Sequence, residues 1–244
     1  MEQRSYPIKE CDVLVIGSGS GAFAALEAAK QGGLRILLAS RGPVGMSGLT
    51  PTAIGGVASS SSVDALFTRM IEGGLYLNDQ DVAWRLVNGI ESALENLKNL
   101  GIVVMPTSGR LVTIPGGDAL KVARKEILKR PNIELLEDVQ VTSLLTFEGR
   151  VAGATILDLA RGEFFVVRAK TVVLATGGST GELYPHTSNN PFGMTTGSAG
   201  TGHIMAYHAG AELVDMEMIQ FVPVVADPRC LYLRYFPDFW DGPY

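Results

Sequence analysis

The sequence predicts an α/β fold with a parallel central sheet, a helical insertion and a three-stranded β-meander. Three observations carry this. Residues 11–16 and 34–39 are short, mainly apolar runs, the pattern of strands buried on both faces. Between them lie the turn Gly17-Ser18-Gly19-Ser20-Gly21 and the alanine-rich stretch 22–30, which favours helix and stops at Gly32-Gly33. Farther on, helical spacing gives way at Ile133 to runs of strand length that continue to Ala175. The first three pieces form one βαβ unit of about 30 residues, the size that a right-handed crossover needs.

The other elements follow in order. Residues 1–10 are polar and read as a loose lead-in. The Gly/Ser/Thr/Pro segment 41–62 reads as one long loop, and a loop of that length inside a compact domain is usually functional. Helices are predicted over 63–73 and 79–100; the serine run 59–62 reads as a solvated turn or an N-cap region for the first, and Asp79 as the cap of the second. In the second helix Val82, Leu86, Ile90, Ala93, Leu94, Leu97 and Leu100 recur at helical spacing as the buried face. An extended piece (102–114) and a helix (117–130) come next. Residues 133–136 read as a third sheet strand, followed by a meander with turns at 148–150 and 161–163. Residues 171–175 read as a further buried strand running into Thr176-Gly177-Gly178. A glycine-rich stretch then leads to a helix over 202–209 and an extended segment over 211–225. Six of the chain's 18 aromatic residues fall in its last 13 positions: Tyr232, Tyr235, Phe236, Phe239, Trp240 and Tyr244. A free tail is seldom so apolar, so this end packs on something or the sequence stops inside a larger protein.

Composition excludes several classes of function. Twenty basic against 25 acidic residues give a net charge of −5, the wrong sign for a nucleic-acid binder. With 46% hydrophobic and 18% charged residues, disorder is excluded for most of the chain. No apolar run reaches the roughly 18–20 residues that span a bilayer, and no signal segment opens the chain. Cys11 and Cys230 are too few for a disulfide framework and lack metal spacing, so they read as buried thiols in a reducing cytoplasm. His186, His203 and His208 form no metal-binding pattern, since a spacing of five on one helix is poor for shared ligation. No Ser-His-Asp arrangement stands out.

The glycines carry the chemistry. Glycine fills 29 of 244 positions, against about 7% in ordinary proteins. In the strand–turn–helix context, Gly17 permits the tight turn and Gly19 lets a pyrophosphate approach the backbone. Ala22 is small enough for close helix–strand packing. The helix start near Ser20 offers N–H groups and a positive dipole end to phosphates. This is the fingerprint of a dinucleotide cofactor. The usual ribose-binding carboxylate after the second strand is replaced by Ser40 and Arg41. Arg41 suits the 2′-phosphate of NADP. The long loop, the helical excursion and the meander instead favour a flavin, because an NAD(P) domain continues with regular βα repeats.

Four segments now carry a resemblance: 15–22 (VIGSGSGA), 38–44 with 55–58 (LASRGPV and GGVA), 171–178 (TVVLATGG) and 209–221 (AGAELVDMEMIQF). The chain resembles the flavoprotein subunit of succinate dehydrogenase and fumarate reductase, a family that includes L-aspartate oxidase, over about 12–225. The serine at position 40 matches the aspartate oxidase pattern. The resemblance implies a Rossmann-like FAD-binding domain over 1–225, the start of a substrate region over 226–244, and the absence of the C-terminal half of the family fold. It implies FAD, with its pyrophosphate at Gly17, Ser18, Gly19, Ser20 and Gly21 and its ribose near Ala39, Ser40 and Arg41. Gly48, Leu49, Thr50, Gly55 and Gly56 would lie along the flavin. Gln140 and Val141 would lie at the adenine, with Ala175, Thr176, Gly177 and Thr201 as further contacts. Thr201 stands where many members carry aspartate.

Departures from the family pattern shape the functional expectation. The loop before Gly55-Gly56 has no histidine, so the FAD is expected to be non-covalent. Val222 stands where the family places a substrate-binding histidine, in Gln220-Phe221-Val222-Pro223, and cannot donate a hydrogen bond. Activity on succinate and fumarate should therefore be poor. The family's general-acid arginine and second glycine-rich motif fall beyond residue 244, and no catalytic residue is assigned. Arg229 and Arg234 lie where the substrate region begins, but a surface role suits them better. The resemblance thus implies an FAD-dependent oxidoreductase passing a hydride between flavin and an organic-acid-type substrate. The alternatives are a flavin-holding or electron-transfer subunit with a second redox chain, iron–sulfur or flavoprotein, and a fragment of a longer flavoenzyme. The expected location is the cytoplasm, peripheral to a membrane only through a partner.

Overall fold

The computed structural model describes residues 6–48, 50–52, 54–58, 62–106, 111–178, 199–218, 225–227 and 230–234. In chain order these form β1 (Ile8–Ile16), α1 (Ser20–Ala29), β2 (Ile36–Ala39), a 3-10 turn (Thr50–Thr52), β3 (Ile54–Ala58), α2 (Val63–Gly73) and α3 (Gln80–Asn99). Then come β4 (Met105–Pro106), β5 (Leu111–Pro115), α4 (Gly116–Leu128), β6 (Ile133–Leu136), β7 (Val139–Phe147), β8 (Arg150–Asp158) and β9 (Glu163–Leu174). The helix α5 (Thr201–His208) and the strands β10 (Val225–Asp227) and β11 (Cys230–Arg234) complete the described elements. The chain divides into two compact units, 1–53 with 115–216 and 54–114 with 217–244.

The first unit is built on a six-stranded sheet of order β6-β2-β1-β9-β8-β7. β6, β2, β1 and β9 run parallel, and β9, β8 and β7 form the antiparallel meander. Alternation along β1 and β2 sorts the core onto two faces. Leu14, Ile16, Leu37 and Ala39 join Val139, Val141, Ala154, Ile156, Val167 and Met205 in one apolar cluster, so α5 and the meander share a face of the sheet. On the other face Gly21 of α1 sits over Val15 and Leu38: a Cβ there would stand 3.1 Å from the Val15 side chain and 3.1 Å from that of Ala175. Gly21 as well as the fully buried Ala22 thus supplies the close packing expected of Ala22 alone.

The second unit holds a three-stranded sheet of order β3-β5-β4 and the pair α2 and α3. Asp79 caps as expected, and of the two readings of the serine run the N-cap holds, through Ser62. The Ser62 side chain accepts from the amide of Ala65, and Asp79 accepts from the amides of Asp81 and Val82.

Several expectations need correction. The lead-in is not loose beyond Pro7, because Ile8 to Cys11 pair with Val166 to Ala169 of β9 and lengthen β1. The 41–62 segment contains β3, whose neighbour in the sheet, β5, is distant in sequence. The last meander strand and the buried strand at 171–175 are one strand, β9, which keeps β1 as a parallel neighbour while β8 pairs with it only as far as Arg168. The buried face of α3 is Ala83, Val87 and Leu94, whereas Val82 and Leu86 are exposed. The apolar stripe on α3 is wider than the surface it packs on. Residues 211–218 form no strand. The serines before Ser62, the end of the aromatic tail and His186 lie outside the described residues.

Candidate functional site

The C-terminal ends of β1, β2 and β9 meet at one edge of the sheet, and the backbone packs closely there. The Gly17 amide donates to the Ala39 carbonyl at 2.8 Å, and the Ala175 amide donates to the Ile16 carbonyl at 2.8 Å. Gly17 has φ +102°, and a Cβ on it would collide with the Ala175 carbonyl. Only glycine meets both demands. A Cβ at Gly19 would stand 2.8 Å from Thr50 Oγ1, so the 3-10 turn covers the glycine turn at that point. Helix α1 then begins at Ser20 with no side-chain cap on its N-terminus and no acid in its first turn. The dipole of that end is left to attract an anion.

A cleft opens beside this turn, lined by Ile16, Gly17, Ala39, Arg41, Val139, Gln140, Val141, Thr176, Ala199, Gly200, Thr201 and Met205. Seven of these are residues singled out in the sequence: Gly17, Ala39, Arg41, Gln140, Val141, Thr176 and Thr201. Among the described residues Arg41 is the one charged group in the lining, and no carboxylate is present there. Helix α5 enters through Gly200, in the left-handed region at φ +68°, again with neither cap nor acid. Gly202 is pressed on Thr176, whose Oγ1 occupies the place of a Cβ. Gln140 donates from Nε2 to the Val141 carbonyl at 2.8 Å.

The other predicted residues are placed as follows. Ser18 and Ser40 lie beneath the turn, 5% and 4% exposed, with their hydroxyls 2.7 Å apart. Ser47 Oγ stands 3.4 and 3.5 Å from these two. Gly48 is exposed at φ +79°, Thr50 faces Gly19, and Gly177 follows Thr176 at φ +77°. Gly55 and Gly56 lie on β3, in the second unit. Leu49 falls outside the described residues, as does Val222. The sequence reading missed Ile16, Val139, Ala199, Gly200 and Met205. Met205 was within reach, since it follows Thr201 by one helical turn.

Other chemistry finds little support. Burial pushes the Cys11 thiol up to about 11, which makes it a poor nucleophile. No group of three or more His, Cys, Asp or Glu among the described residues is placed to hold a metal. No described helix is long and apolar enough to cross a membrane.

The FAD binding domain profile matches residues 12–116 and 103–232. The chain belongs to the FAD-binding domain family. It is 34% identical to a fumarate reductase (CoM/CoB) polypeptide of Methanothermobacter marburgensis, one subunit of that enzyme, over 91% of this chain and 43% of that protein. It is 31% identical to the 8-methylmenaquinol:fumarate reductase flavoprotein subunit of Wolinella succinogenes, over 88% and 38%. An L-aspartate oxidase of Mesorhizobium japonicum is also 31% identical, over 88% and 44%. Among solved structures, Mycobacterium smegmatis Sdh1 aligns with a TM-score of 0.79 and 26% identity, over 89% of this chain and 41% of that one. A mutant of E. coli quinol fumarate reductase FrdA gives 0.78 and 26%, over 89% and 40%. This FAD-binding domain therefore spans about two-fifths of the length of these relatives, and the expected cofactor is FAD. Its residues fit that group: the tight turn at Gly17 leads into a helix start with neither a side-chain cap nor an acid, beside a cleft whose described lining holds no carboxylate.

Proposed function

We propose that this chain is the FAD-holding part of an FAD-dependent oxidoreductase acting on an organic-acid-type substrate, with the FAD bound non-covalently. The observation that carries this is the cleft at the carboxyl edge of the parallel strands, next to the Gly17–Gly21 turn and the bare N-terminus of α1. The amides of residues 17–21 would take the pyrophosphate, and Ala39, Ser40 and Arg41 would lie by the ribose. Gln140 and Val141 would flank the adenine, with Ala175, Thr176, Gly177 and Thr201 on the remaining wall. Gly48, Leu49, Thr50, Gly55 and Gly56 would line the flavin. Bound FAD supplies hydride exchange with a substrate carbon. The chain's own part is to bind and orient. Backbone N–H groups neutralise phosphate charge, and a described cleft wall without carboxylates avoids repulsion against it.

A second reading is a flavin-holding subunit that completes its site with another redox chain, iron–sulfur or flavoprotein. The names of two relatives, each a fumarate reductase subunit, favour it. Either reading suits a place in the cytoplasm or at a membrane surface through a partner subunit.

The test is a visible spectrum of the purified chain before and after acid precipitation. A flavin spectrum that passes into the supernatant is expected. A colourless chain that also fails to take up added FAD overturns the proposal. Gel filtration then separates the two readings, because a monomer with stoichiometric FAD counts against a required partner. Val222 carries a further expectation: fumarate reduction and succinate oxidation at background rates, in assays with an artificial electron donor or acceptor. Turnover in the usual range of about 1–10³ s⁻¹ would refute it.

A further inference from the structure

The loop after β2 carries Arg41 into the cleft wall and Ser47 to the buried serines, yet among residues 41–48 it forms no regular element. Its middle residue, Val44, is fully buried. A buried peptide needs partners for its N–H and its C=O. Two side chains provide them. The Val44 amide donates to Glu137 Oε1 at 2.7 Å, and Arg124 Nη1 donates to the Val44 carbonyl at 3.0 Å. Arg124 also pairs with both carboxylate oxygens of Glu137. An Arg–Glu pair thus takes the place of a neighbouring strand for one loop residue. The next residue, Gly45, has φ +87° and presses on the Leu120 carbonyl, one helical turn before Arg124 on α4.

The pair is well built for holding. The two side chains are only 33% and 26% exposed. The guanidinium holds the Glu137 carboxyl below the usual carboxylate range, and Glu137 raises Arg124 in turn. Glu137 directly follows β6, and Asp138, in the left-handed region at φ +56°, turns the chain into β7. The same junction grips Ser40: its amide donates to the Leu136 carbonyl at 2.8 Å, and its carbonyl accepts from the Val139 amide at 3.1 Å. The cleft residues Val139, Gln140 and Val141 begin at that point. One ion pair therefore ties together α4, the loop that carries Arg41, and the start of β7, which also lines the cleft.

We infer that Glu137 and Arg124 are positioning residues for the cofactor, which fix the loop 41–48 against the cleft before FAD arrives. This rests on the FAD reading above. Neither side chain lines the cleft, so the effect reaches the cofactor only through the loop.

The test uses the full chain and two readouts. Without ligand, amide hydrogen exchange at Val44 is measured in wild type, Glu137→Gln, Glu137→Ala and Arg124→Met. Exchange is expected to speed up about tenfold or more in Glu137→Ala, while Leu14 and Ile156 in the sheet stay protected. The affinity for FAD is then measured by flavin fluorescence. It is expected to weaken about tenfold in Glu137→Ala and Arg124→Met, with Arg124→Lys between them and wild type. Glu126→Gln, which removes an ion pair between this helix and Lys129 that does not touch Val44, should change neither readout. Unchanged exchange at Val44 in both Glu137 variants overturns the inference. So does unchanged FAD affinity despite a freed loop, or a collapse of protection at Leu14 in every variant, which would mark the pair as global support. If wild type takes up no FAD, the cofactor role falls with its parent reading, and the exchange data alone then show that this was not for want of a held loop.

Discussion

Gly17→Ala is expected to abolish flavin uptake and to cost the chain about 3 kcal/mol. Two penalties coincide at this position. The backbone sits at φ +102°, where an L side chain is strained. The added methyl also collides with the Ala175 carbonyl, which is backbone and has no rotamer to retreat into. Relief requires the end of β9 to move away from β1, with loss of the Ala175–Ile16 hydrogen bond or the Gly17–Ala39 bond beside it. Either movement opens the turn that would receive the pyrophosphate. Gly32→Ala is the control. It shares a positive φ of +66° but meets nothing within 4 Å, so it should cost about 1 kcal/mol and leave flavin uptake intact. Urea unfolding and flavin fluorescence titration of both variants check this. Wild-type uptake by Gly17→Ala would remove this turn from the cofactor site.

Much of the site was legible because its demands are local. A glycine-rich turn between a buried strand and an alanine-rich helix depends on neighbours in sequence, and there the reading and the structure agree on β1, α1 and β2. The cleft follows from the same unit, since parallel strands end together and their last residues must share an edge. What escaped was set by partners far along the chain. Nothing near Arg124 or Glu137 in sequence says that the two jointly satisfy the peptide of Val44, 93 residues before Glu137. Nothing near Ser40 says that its hydroxyl meets that of Ser18, both buried. The sequence divides β9 because Arg168 and Lys170 interrupt its two apolar runs, although a single parallel neighbour runs beside both parts. The error on α3 has another cause. A helix with Val82, Trp84 and Leu86 all exposed carries more apolar surface than its own unit buries, so periodicity alone chose the wrong edge of the stripe.

Gly202→Ala is expected to destabilise the chain by about 2 kcal/mol and to weaken FAD retention, although alanine is the better helix former by up to about 1 kcal/mol. Packing decides the sign. A Cβ at 202 would overlap Thr176 Oγ1 and stand 3.1 Å from its Cβ and 3.3 Å from its Cγ2, so turning the threonine brings only partial relief. Helix α5 would have to lift from the end of β9. It would carry with it Thr201, on the cleft wall, and Met205, which is 4% exposed in the core below. The threonine is therefore the cause to remove. In a Thr176→Ala background the close oxygen and Cγ2 are gone, and Gly202→Ala should lose most of its cost as helix propensity comes through. The four proteins form a double-mutant cycle, with an expected coupling of about 1–2 kcal/mol. Urea midpoints give the cycle for stability, and flavin titrations give it for binding. Coupling in both would show that the contact between Thr176 and Gly202 holds one wall of the FAD cleft in place. Coupling in stability alone would confine it to packing and would take the α5 end of the cleft out of the cofactor site.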